Sequence, residues 1–224
     1  IPAPKIVAVS DINKNNSEWF VKNVPTVKAA FDDYRELLKM EEIDAVYVAV
    51  PHVLHQEIYT AVLRAGKHLM GEKPFGMNKA QNDAITEEIR KHPELCVRCS
   101  SEFPYFPAMQ QLINTVKSGK LGRIIEIKCG FNHSSDLDPN KPINWKRQVA
   151  TNGEYGCMGD LGIHTQHVPF RLGFYPKNVF AKLSKFIITR PDGKGGTAAC
   201  DTWDNATLIC DTQDANGNIF PMYI

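Results

Sequence analysis

Apolar runs and amphipathic segments alternate through the first half of the chain at intervals typical of strand–helix units. Four apolar runs predict strands, at residues 5–10, 45–50, 67–71 and 95–100. Polar or amphipathic segments predict helices at residues 16–22, 32–40, 55–65 and 78–91. The run at 45–50 is apolar throughout, as expected for a strand that is covered on both faces. This alternation predicts a doubly wound parallel sheet of the α/β class.

The second half has a different order of elements. The pattern predicts a helix at 107–117, a long strand at 123–132, a polar loop at 134–152 and a glycine-containing helix at 157–172. Strands are predicted at 179–189, 202–210 and 219–224, with the hairpin signal Asn216-Gly217 between the last two. A helix followed by antiparallel strands is typical of an α+β domain. We therefore expect one domain over 1–103 and a second over 104–224.

Composition limits the classes of partner. The 224 residues carry 26 Lys and Arg against 25 Asp and Glu, so the formal net charge of +1 offers no basic surface for nucleic acid. No apolar run approaches the ~18 residues that a membrane span requires. Six cysteines are too few for a disulfide scaffold, and we interpret them as reduced thiols. We expect a cytoplasmic protein without nucleic acid or membrane partners, with a secreted or periplasmic location as the alternative.

Asp11 follows the first predicted strand and has two interpretations. An acidic residue at the carboxyl end of a parallel strand is where a dinucleotide-binding fold holds the ribose hydroxyls of its ligand. A glycine fingerprint is expected about 20 residues earlier, but ten residues precede Asp11 and none of them is glycine. Taken alone, Asp11 favours the simpler role of capping the next helix.

The segment Gly71-Glu72-Lys73-Pro74 places an acid and a base directly after a short strand. Open α/β sheets bind their ligands at this carboxyl edge. Pro74 restricts Lys73 to an extended backbone and is compatible with a cis bond. A lysine held beside a nicotinamide can polarise or protonate a carbonyl oxygen, whereas the alternative interpretation is a surface turn with a chance ion pair.

Three glycines and an acid–base pair cluster in the predicted helix at 157–172 and just before it. Asp160 and His164 are four residues apart, so a regular helix places them on one face. A carboxylate there can fix the tautomer of an imidazole that acts as a general base. Gly156, Gly159 and Gly162 weaken a helix but allow close approach of a ligand or sheet. The segment therefore favours a functional role over a purely structural one.

The same helix carries a stripe of Cys157, Asp160, His164 and His167, and all three residue types bind zinc. Ligands spread over three turns of one helix rarely converge on one ion. We therefore expect no metal site.

These segments, taken in order, resemble the Gfo/Idh/MocA family of oxidoreductases, which includes glucose–fructose oxidoreductase and inositol 2-dehydrogenase. The matching segments are Val7-Ala8-Val9-Ser10-Asp11, Pro51 with His55, Ala65-Gly66-Lys67-His68, Glu72-Lys73-Pro74, Gly119-Lys120-Leu121-Gly122 and Asp160-Leu161-Gly162-Ile163-His164. Each segment alone is a weak signal, but their order and spacing together are specific. The resemblance implies a Rossmann-like parallel sheet followed by an α+β domain with a largely antiparallel sheet.

The resemblance also implies a chemistry, in which a hydride passes between a nicotinamide and a secondary alcohol of a sugar, cyclitol or derivative. By resemblance, Lys73 and Asp160 bind and orient the substrate, and His164 removes the hydroxyl proton. Two alternatives stay open. One is glycoside cleavage through transient NAD-dependent oxidation, and the other is a non-catalytic relative that binds a ligand.

The implied cofactor is NAD, with NADP as the alternative. Asp11 would bind the adenosine ribose, and a further set of residues would border the nicotinamide half. This set is Pro51, His55, Glu72, Lys73, Pro74 and Trp145, the last belonging to a Trp145-Lys146 pair that resembles an aromatic–basic pair of the family. Because second-domain sheets of the family often form subunit contacts, the resemblance also implies a homo-oligomer.

The family's first strand, glycine-rich phosphate loop and first helix have no counterpart in this sequence. In the strand order 3-2-1-4-5-6 the first strand lies at the centre of the sheet. Without it, the strands predicted at 5–10 and 45–50 lack a common neighbour, and unpaired backbone inside a sheet is costly. We therefore expect the 224 residues to be a portion of a longer chain.

Overall fold

The structure is a computed structural model that describes residues 3–224. In its first half, parallel strands alternate with helices. The strands are β1 (Ala8–Ser10), β2 (Ala29–Phe31), β3 (Ala45–Val48), β4 (His68–Glu72) and β5 (Val97–Ser100). The helices are α1 (Lys14–Asn23), α2 (Tyr34–Leu38), α3 (His55–Arg64) and α4 (Lys79–Lys91). The predicted α/β alternation is confirmed, and β2 is a strand that the sequence pattern did not predict.

The parallel strands form two ladders. One joins β1 to β2, and the other has the order β3-β4-β5. Within residues 3–224 no ladder connects β1 with β3. All three strands of the second ladder run in the same direction, so their carboxyl ends lie at one edge, where a ligand site is expected.

The core of the first half lies between α3, α4 and the β3-β4-β5 ladder. Tyr59, Val62 and Leu63 of α3 pack with Leu69 of β4 and Ile85 of α4, and all are almost fully buried. Burying each such side chain stabilises the fold by roughly 1.5–3 kcal/mol. This packing fixes α3 against the sheet, and with it the segment that leads from β3 into the helix.

Two predicted helix ends are confirmed. The side chain of Asn78 accepts a hydrogen bond from the main-chain N–H of Gln81 and caps α4. Gly66 follows α3 with a φ of +69°, a left-handed conformation that glycine adopts without a Cβ penalty. These local signals end α3 just before β4 and begin α4 after the turn that follows β4.

The second half contains a four-stranded sheet and flanking helices. The helices are α5 (Pro107–Lys117), α6 (Val149–Asn152) and α7 (Ile163–Arg171). The strands are β6 (Ile127–Lys128), β7 (Phe180–Ser184), β8 (Thr189–Pro191), β9 (Thr197–Ala199), β10 (Asn205–Gln213) and β11 (Ile219–Tyr223). The sheet order is β6-β11-β10-β7, antiparallel except for the β6–β11 pair, and β8 pairs with β9 separately. This confirms the α+β class, whereas the boundary between residues 103 and 104 stays a prediction.

Two predicted strands are shorter than expected. The strand predicted at 123–132 is reduced to Ile127–Lys128, because it is an edge strand that pairs with β11 over two residues. The strand predicted at 179–189 ends at Ser184 and resumes as β8. Between them the carboxylate of Asp204 accepts hydrogen bonds from the main-chain N–H groups of Phe186 and Ile187, 2.9 Å each. That side chain competes with a continuous ladder and turns the chain.

The helix predicted at 157–172 is also different from the expectation. Residues Met158–Gly162 form a π-helical turn, and the regular helix α7 begins at Ile163. A Cβ at Gly162 would lie 2.4 Å from Met158 Sδ, so glycine leaves room for that side chain within the widened turn. Such π turns are rare and often occur at functional sites.

Among residues 3–224, no helix is both long enough and apolar enough to span a lipid bilayer.

Candidate active site

The turn after β4 carries Glu72, Lys73 and Pro74 and is held by two tyrosines, the buried Tyr59 of α3 and the exposed Tyr47 of β3. Tyr59 OH donates to the main-chain oxygen of Glu72 at 2.6 Å, and Tyr47 OH donates to its carboxylate at 2.5 Å. A Cβ at Gly71 would lie 2.5 Å from the Tyr59 ring, so only glycine permits this packing. The Lys73–Pro74 peptide is cis. The turn is therefore fixed by the core beneath it and presents Lys73 at the carboxyl edge.

Lys73 reaches from this turn to the π-helical turn of the second half. Its Nζ lies 2.7 Å from Asp160 Oδ1 and 2.6 Å from the main-chain oxygen of Asp160. Asp160 is 6% exposed, so the ion pair is largely removed from water. The two residues are 87 positions apart in sequence. The structure thus brings together two of the three predicted catalytic residues.

Asp160 is bound by a second lysine as well. Lys146 Nζ lies 2.9 Å from Oδ2 and 3.3 Å from Oδ1 of the same carboxylate. Burial by itself would raise the pKa of Asp160, but the hydrogen bonds and charges of Lys73 and Lys146 outweigh burial and hold the pKa below its usual value. Asp160 is therefore an anion that neutralises neighbouring ammonium groups.

His164 lies one turn further along and does not bond to Asp160, contrary to the expectation of a carboxylate–imidazole pair. The oxygens of Asp160 face the two lysines, and the His164 ring stacks on Phe103 with centroids 4.3 Å apart. His164 Nδ1 is buried without a hydrogen-bond partner. Burial, followed by the charge of Lys73, lowers the pKa of His164. The imidazole is therefore held neutral, the form that can accept a proton.

The stripe of candidate metal ligands does not converge. Asp160 faces the lysines, His164 stacks on Phe103, and His167 Nε2 is hydrogen-bonded to Ser101 Oγ. Within the part of the chain that the structure describes, no group of three or more His, Cys, Asp and Glu side chains is arranged to hold a metal. The wide π turn separates positions that a regular helix would have stacked.

His52 is a site residue that the sequence did not point to. Its ring is 3% exposed and packs edge-on against Trp145, with centroids 4.7 Å apart. Nδ1 lies 3.2 Å from the main-chain oxygen of Asn152, which can only accept, so Nδ1 carries the hydrogen. Nε2 lies 4.0 Å from Asp160 Oδ1. The one available signal was its place directly after Pro51 at the end of an apolar strand.

Two family models match the chain, one in each half. Residues 2–99 match the family model described as "Oxidoreductase family, NAD-binding Rossmann fold". Residues 109–220 match the model described as "GFO/IDH/MocA C-terminal domain". The chain belongs to the Gfo/Idh/MocA oxidoreductase family.

Individual Gfo/Idh/MocA proteins share sequence and fold with this chain. Levoglucosan dehydrogenase of Pseudarthrobacter phenanthrenivorans is 29% identical over 170 residues, which are 76% of this chain and 43% of that protein. Glucose-6-phosphate 3-dehydrogenase of Bacillus subtilis is 30% identical over 195 residues, which are 84% of this chain and 53% of that protein. A solved structure, levoglucosan dehydrogenase in complex with NADH and levoglucosan, matches 98% of this chain and 57% of its own with a TM-score of 0.85 and 24% identity. The chain spans about half the length of the curated relatives it matches.

The Gfo/Idh/MocA resemblance predicted that several strand-end residues border a nicotinamide. Pro51 leads from β3 into the 3₁₀ turn at His52–Leu54, and Glu72, Lys73 and Pro74 lie at the end of β4. These residues share the carboxyl edge at which α/β sheets bind ligands. The Lys73 ammonium and the Glu72 carboxylate of this set, together with the unpartnered Nδ1 of His164, are polar groups that fit the nicotinamide half of a dinucleotide. Within residues 3–224 no glycine-rich loop joins a parallel strand to a following helix, which is where the pyrophosphate of a dinucleotide is held.

The polar side-chain atoms of His55 and Asp11 make hydrogen bonds to other groups of the protein. The two ring nitrogens of His55 lie 2.7 Å from Pro74 O and 2.9 Å from Val50 O, so this buried residue connects β3 to the turn after β4. Asp11 Oδ1 accepts from the main-chain N–H of Asn13 at 2.8 Å, and Oδ2 accepts from the Asn16 side chain at 2.8 Å. The two hydrogen bonds of Asp11 fix the start of α1. Contact of His55 or Asp11 with a cofactor stays a prediction.

Proposed function

We propose that the protein is an NAD(P)-dependent dehydrogenase that acts on a secondary alcohol of a sugar, cyclitol or derivative. The observation that carries this proposal is the buried Lys73–Asp160 ion pair, together with a neutral His164 whose Nδ1 has no hydrogen-bond partner. Ionisable groups with shifted pKa values cluster in functional sites, and the pKa values of both Asp160 and His164 are lowered. Family membership supports the same class of reaction.

Each residue has a distinct task in this proposal. Lys73 Nζ makes two hydrogen bonds to Asp160, which leaves its third N–H for the oxygen of the substrate alcohol. Asp160 orients that ammonium. His164, held neutral by burial, takes the hydroxyl proton as the carbonyl forms. A bound nicotinamide supplies the acceptor for the hydride.

The cofactor is proposed to be NAD, held at its nicotinamide end by Pro51, Glu72, Lys73 and Pro74, with Trp145 nearby and with Asp11 at the ribose. A relative was solved in complex with NADH, and an acidic residue at the position of Asp11 would repel the 2′-phosphate of NADP. NADP remains the alternative.

The substrate class is supported by what the relatives are named for. These include levoglucosan dehydrogenase, glucose-6-phosphate 3-dehydrogenase and inositol 2-dehydrogenase of Serratia proteamaculans. Their shared feature is a ring that carries secondary hydroxyls. We infer that this protein oxidises such a hydroxyl.

The test begins with mass spectrometry of the nucleotide that co-purifies with the full chain. A panel of sugars and cyclitols then follows, read by NADH absorbance, for wild type, K73A and H164A. Loss of the proton acceptor or of the orienting ammonium is expected to lower kcat/KM by about 10²–10⁴-fold. Turnover that survives both substitutions would refute the assigned roles. Release of an aglycone without net oxidation would instead identify glycoside cleavage, and a bound ligand without turnover would identify a binding protein.

We also propose that the protein forms a homo-oligomer through the four-stranded sheet. Phe180 of β7 and Ile209 of β10 are cross-strand partners, and they are 69% and 41% exposed. Contiguous apolar surface of this kind often marks a subunit contact.

The six cysteines are all free thiols, which supports a reducing compartment such as the cytoplasm.

A further inference from the structure

The second lysine on Asp160 has no role in the function proposed above. Lys146 Nζ lies 2.9 Å from Asp160 Oδ2, while Lys73 Nζ lies 2.7 Å from Oδ1. One carboxylate therefore serves two ammonium groups, one from the turn after β4 and one from the 3₁₀ turn at Trp145–Arg147. Such charge-assisted hydrogen bonds are roughly twice as strong as neutral ones.

The backbone of Lys146 is fixed before its side chain reaches the carboxylate. Its N–H donates to Asn144 Oδ1 at 2.9 Å, and its carbonyl accepts from Thr202 Oγ1 at 3.1 Å. The neighbouring Trp145 ring packs against His52. The Lys146 ammonium therefore extends from a turn whose backbone is already fixed, and this reduces the conformational entropy lost when the ion pair with Asp160 forms.

The two lysines are not equivalent. The side chain of Lys73 is 16% exposed and also bonds to the main-chain oxygen of Asp160, whereas that of Lys146 is 39% exposed and bonds to the carboxylate. With Oδ1 held by one cation and Oδ2 by the other, the carboxylate loses a hydrogen bond if it rotates. Without Lys146, Oδ2 would be a buried acceptor lacking its donor, which favours rotation.

We propose that Lys146 is a positioning residue that fixes the Asp160 carboxylate and, through it, the Nζ of Lys73 against the substrate. The inference rests on the proposed function, in which Lys73 and Asp160 orient the alcohol. Because Lys146 acts through Asp160, its removal leaves both groups present but poorly aligned. The effect is expected mainly on kcat, since a misplacement of about 1 Å costs on the order of 10²-fold in rate.

The kinetic test compares K146M, K146R and K146Q in the full chain. K146M removes the charge and the donor, and we expect kcat to fall by about 10–100-fold with a smaller change in KM. K146R keeps both properties and should restore most of kcat. K79M is the control, because Lys79 lies on α4 with its side chain 85% exposed, and it should resemble wild type. An unchanged kcat, or a rise in KM alone, would overturn the proposal.

A second measurement does not depend on turnover. Lys146 helps to hold the pKa of Asp160 below its usual value, so a ¹³C carboxyl titration should show a higher Asp160 pKa in K146M and little change in K146R. D160N assigns the resonance, and His52, 4.0 Å from Oδ1, is the same in all variants.

An unchanged Asp160 titration in K146M would overturn the positioning role whatever the activity. Wild type that oxidises no alcohol would refute the proposed function, while the titration would still decide the role of Lys146. If K146M does not fold, K146Q, which keeps a donor without the charge, gives the same two readouts.

Discussion

The protonation states of the side chains in this site are determined by burial and by charges from distant parts of the chain rather than by sequence neighbours. Asp160 is ionised because two lysines outweigh its burial, whereas His164 stays neutral because burial and Lys73 act in the same direction. His52 shows the effect of burial most clearly. It is 3% exposed, and burial lowers its pKa from 6.5 to about 4.

The buried state of His52 predicts a dependence of stability on pH. Below pH 6.5 the unfolded chain binds a proton at this position, but the folded protein does so only near pH 4. Stability is therefore lost as the pH falls through that window, by on the order of 3 kcal/mol for this residue. Urea unfolding at pH 7.5, 6.0 and 4.5 should show a shallower loss for H52Q than for wild type.

The control for His52 is H133Q, because His133 is an exposed histidine just before the polar loop at 134–152. H133Q should follow the wild-type pH dependence, since carboxylates and the other buried histidines contribute equally to both proteins. Equal slopes for H52Q and wild type would show that His52 is not the titrating group.

At the scale of elements, the part of the fold set by local signals was predictable. The helix predicted at 107–117 is observed as Pro107–Lys117, and the Asn78 cap begins α4 as expected. The π turn was not predictable, because the chain entering it is held by a contact distant in sequence, the 2.9 Å hydrogen bond from the main-chain N–H of Cys157 to the main-chain oxygen of Trp203. For the same reason the pairing of Asp160 with His164 was wrong: helical spacing applies only to a regular helix.

Gly156 gives a prediction about the entry to the π turn. Its φ is +52°, and a Cβ there would lie 2.5 Å from the main-chain oxygen of Trp203 and 2.7 Å from its nitrogen. G156A therefore combines left-handed strain of roughly 1–2 kcal/mol with a collision against backbone that cannot easily move. We expect it to lower the free energy of unfolding by about 3 kcal/mol or more, and to impair activity by displacing Asp160.

The matched control is G173A. Gly173 has a φ of +83° but no atom within 4 Å of a built Cβ, so only the backbone strain applies. Denaturant midpoints should show a clearly larger loss for G156A than for G173A. Similar losses would mean that the Trp203 contact relaxes at little cost.

At the scale of the whole molecule, the site exists only because the two halves meet. Lys73 was predicted on one half and Asp160 on the other, and a resemblance over nearly the whole chain was needed to connect them. Residue patterns alone did not supply the connection, since nothing local to either residue encodes a contact across 87 positions. Lys146 and His52 were not assigned roles for the same reason. Both are recognised as site residues by their proximity to Asp160, which only the folded structure shows.

The exposed pair Phe180 and Ile209 predicts association of whole molecules. Sedimentation of the full chain should give a multiple of the single-chain mass, and F180D should shift it toward one chain because a charge on this face opposes its burial. F186D is the control, since Phe186 is 75% exposed but lies beyond the end of β7. Wild type sedimenting as one chain would refute the oligomer.

Because the Asp160 carboxylate is shared between Lys73 of one half and Lys146 of the other, the site could be separated into two fragments. If the chain were cut between the matched regions 2–99 and 109–220, one fragment would keep Lys73 without its counterion. The other would keep Asp160 with Lys146 alone. Under the proposed function, neither fragment would oxidise an alcohol, and activity would return only when the two fragments reassemble. The site is thus suited to a split reporter, in which a hydride-transfer signal records that two tethered partners have met.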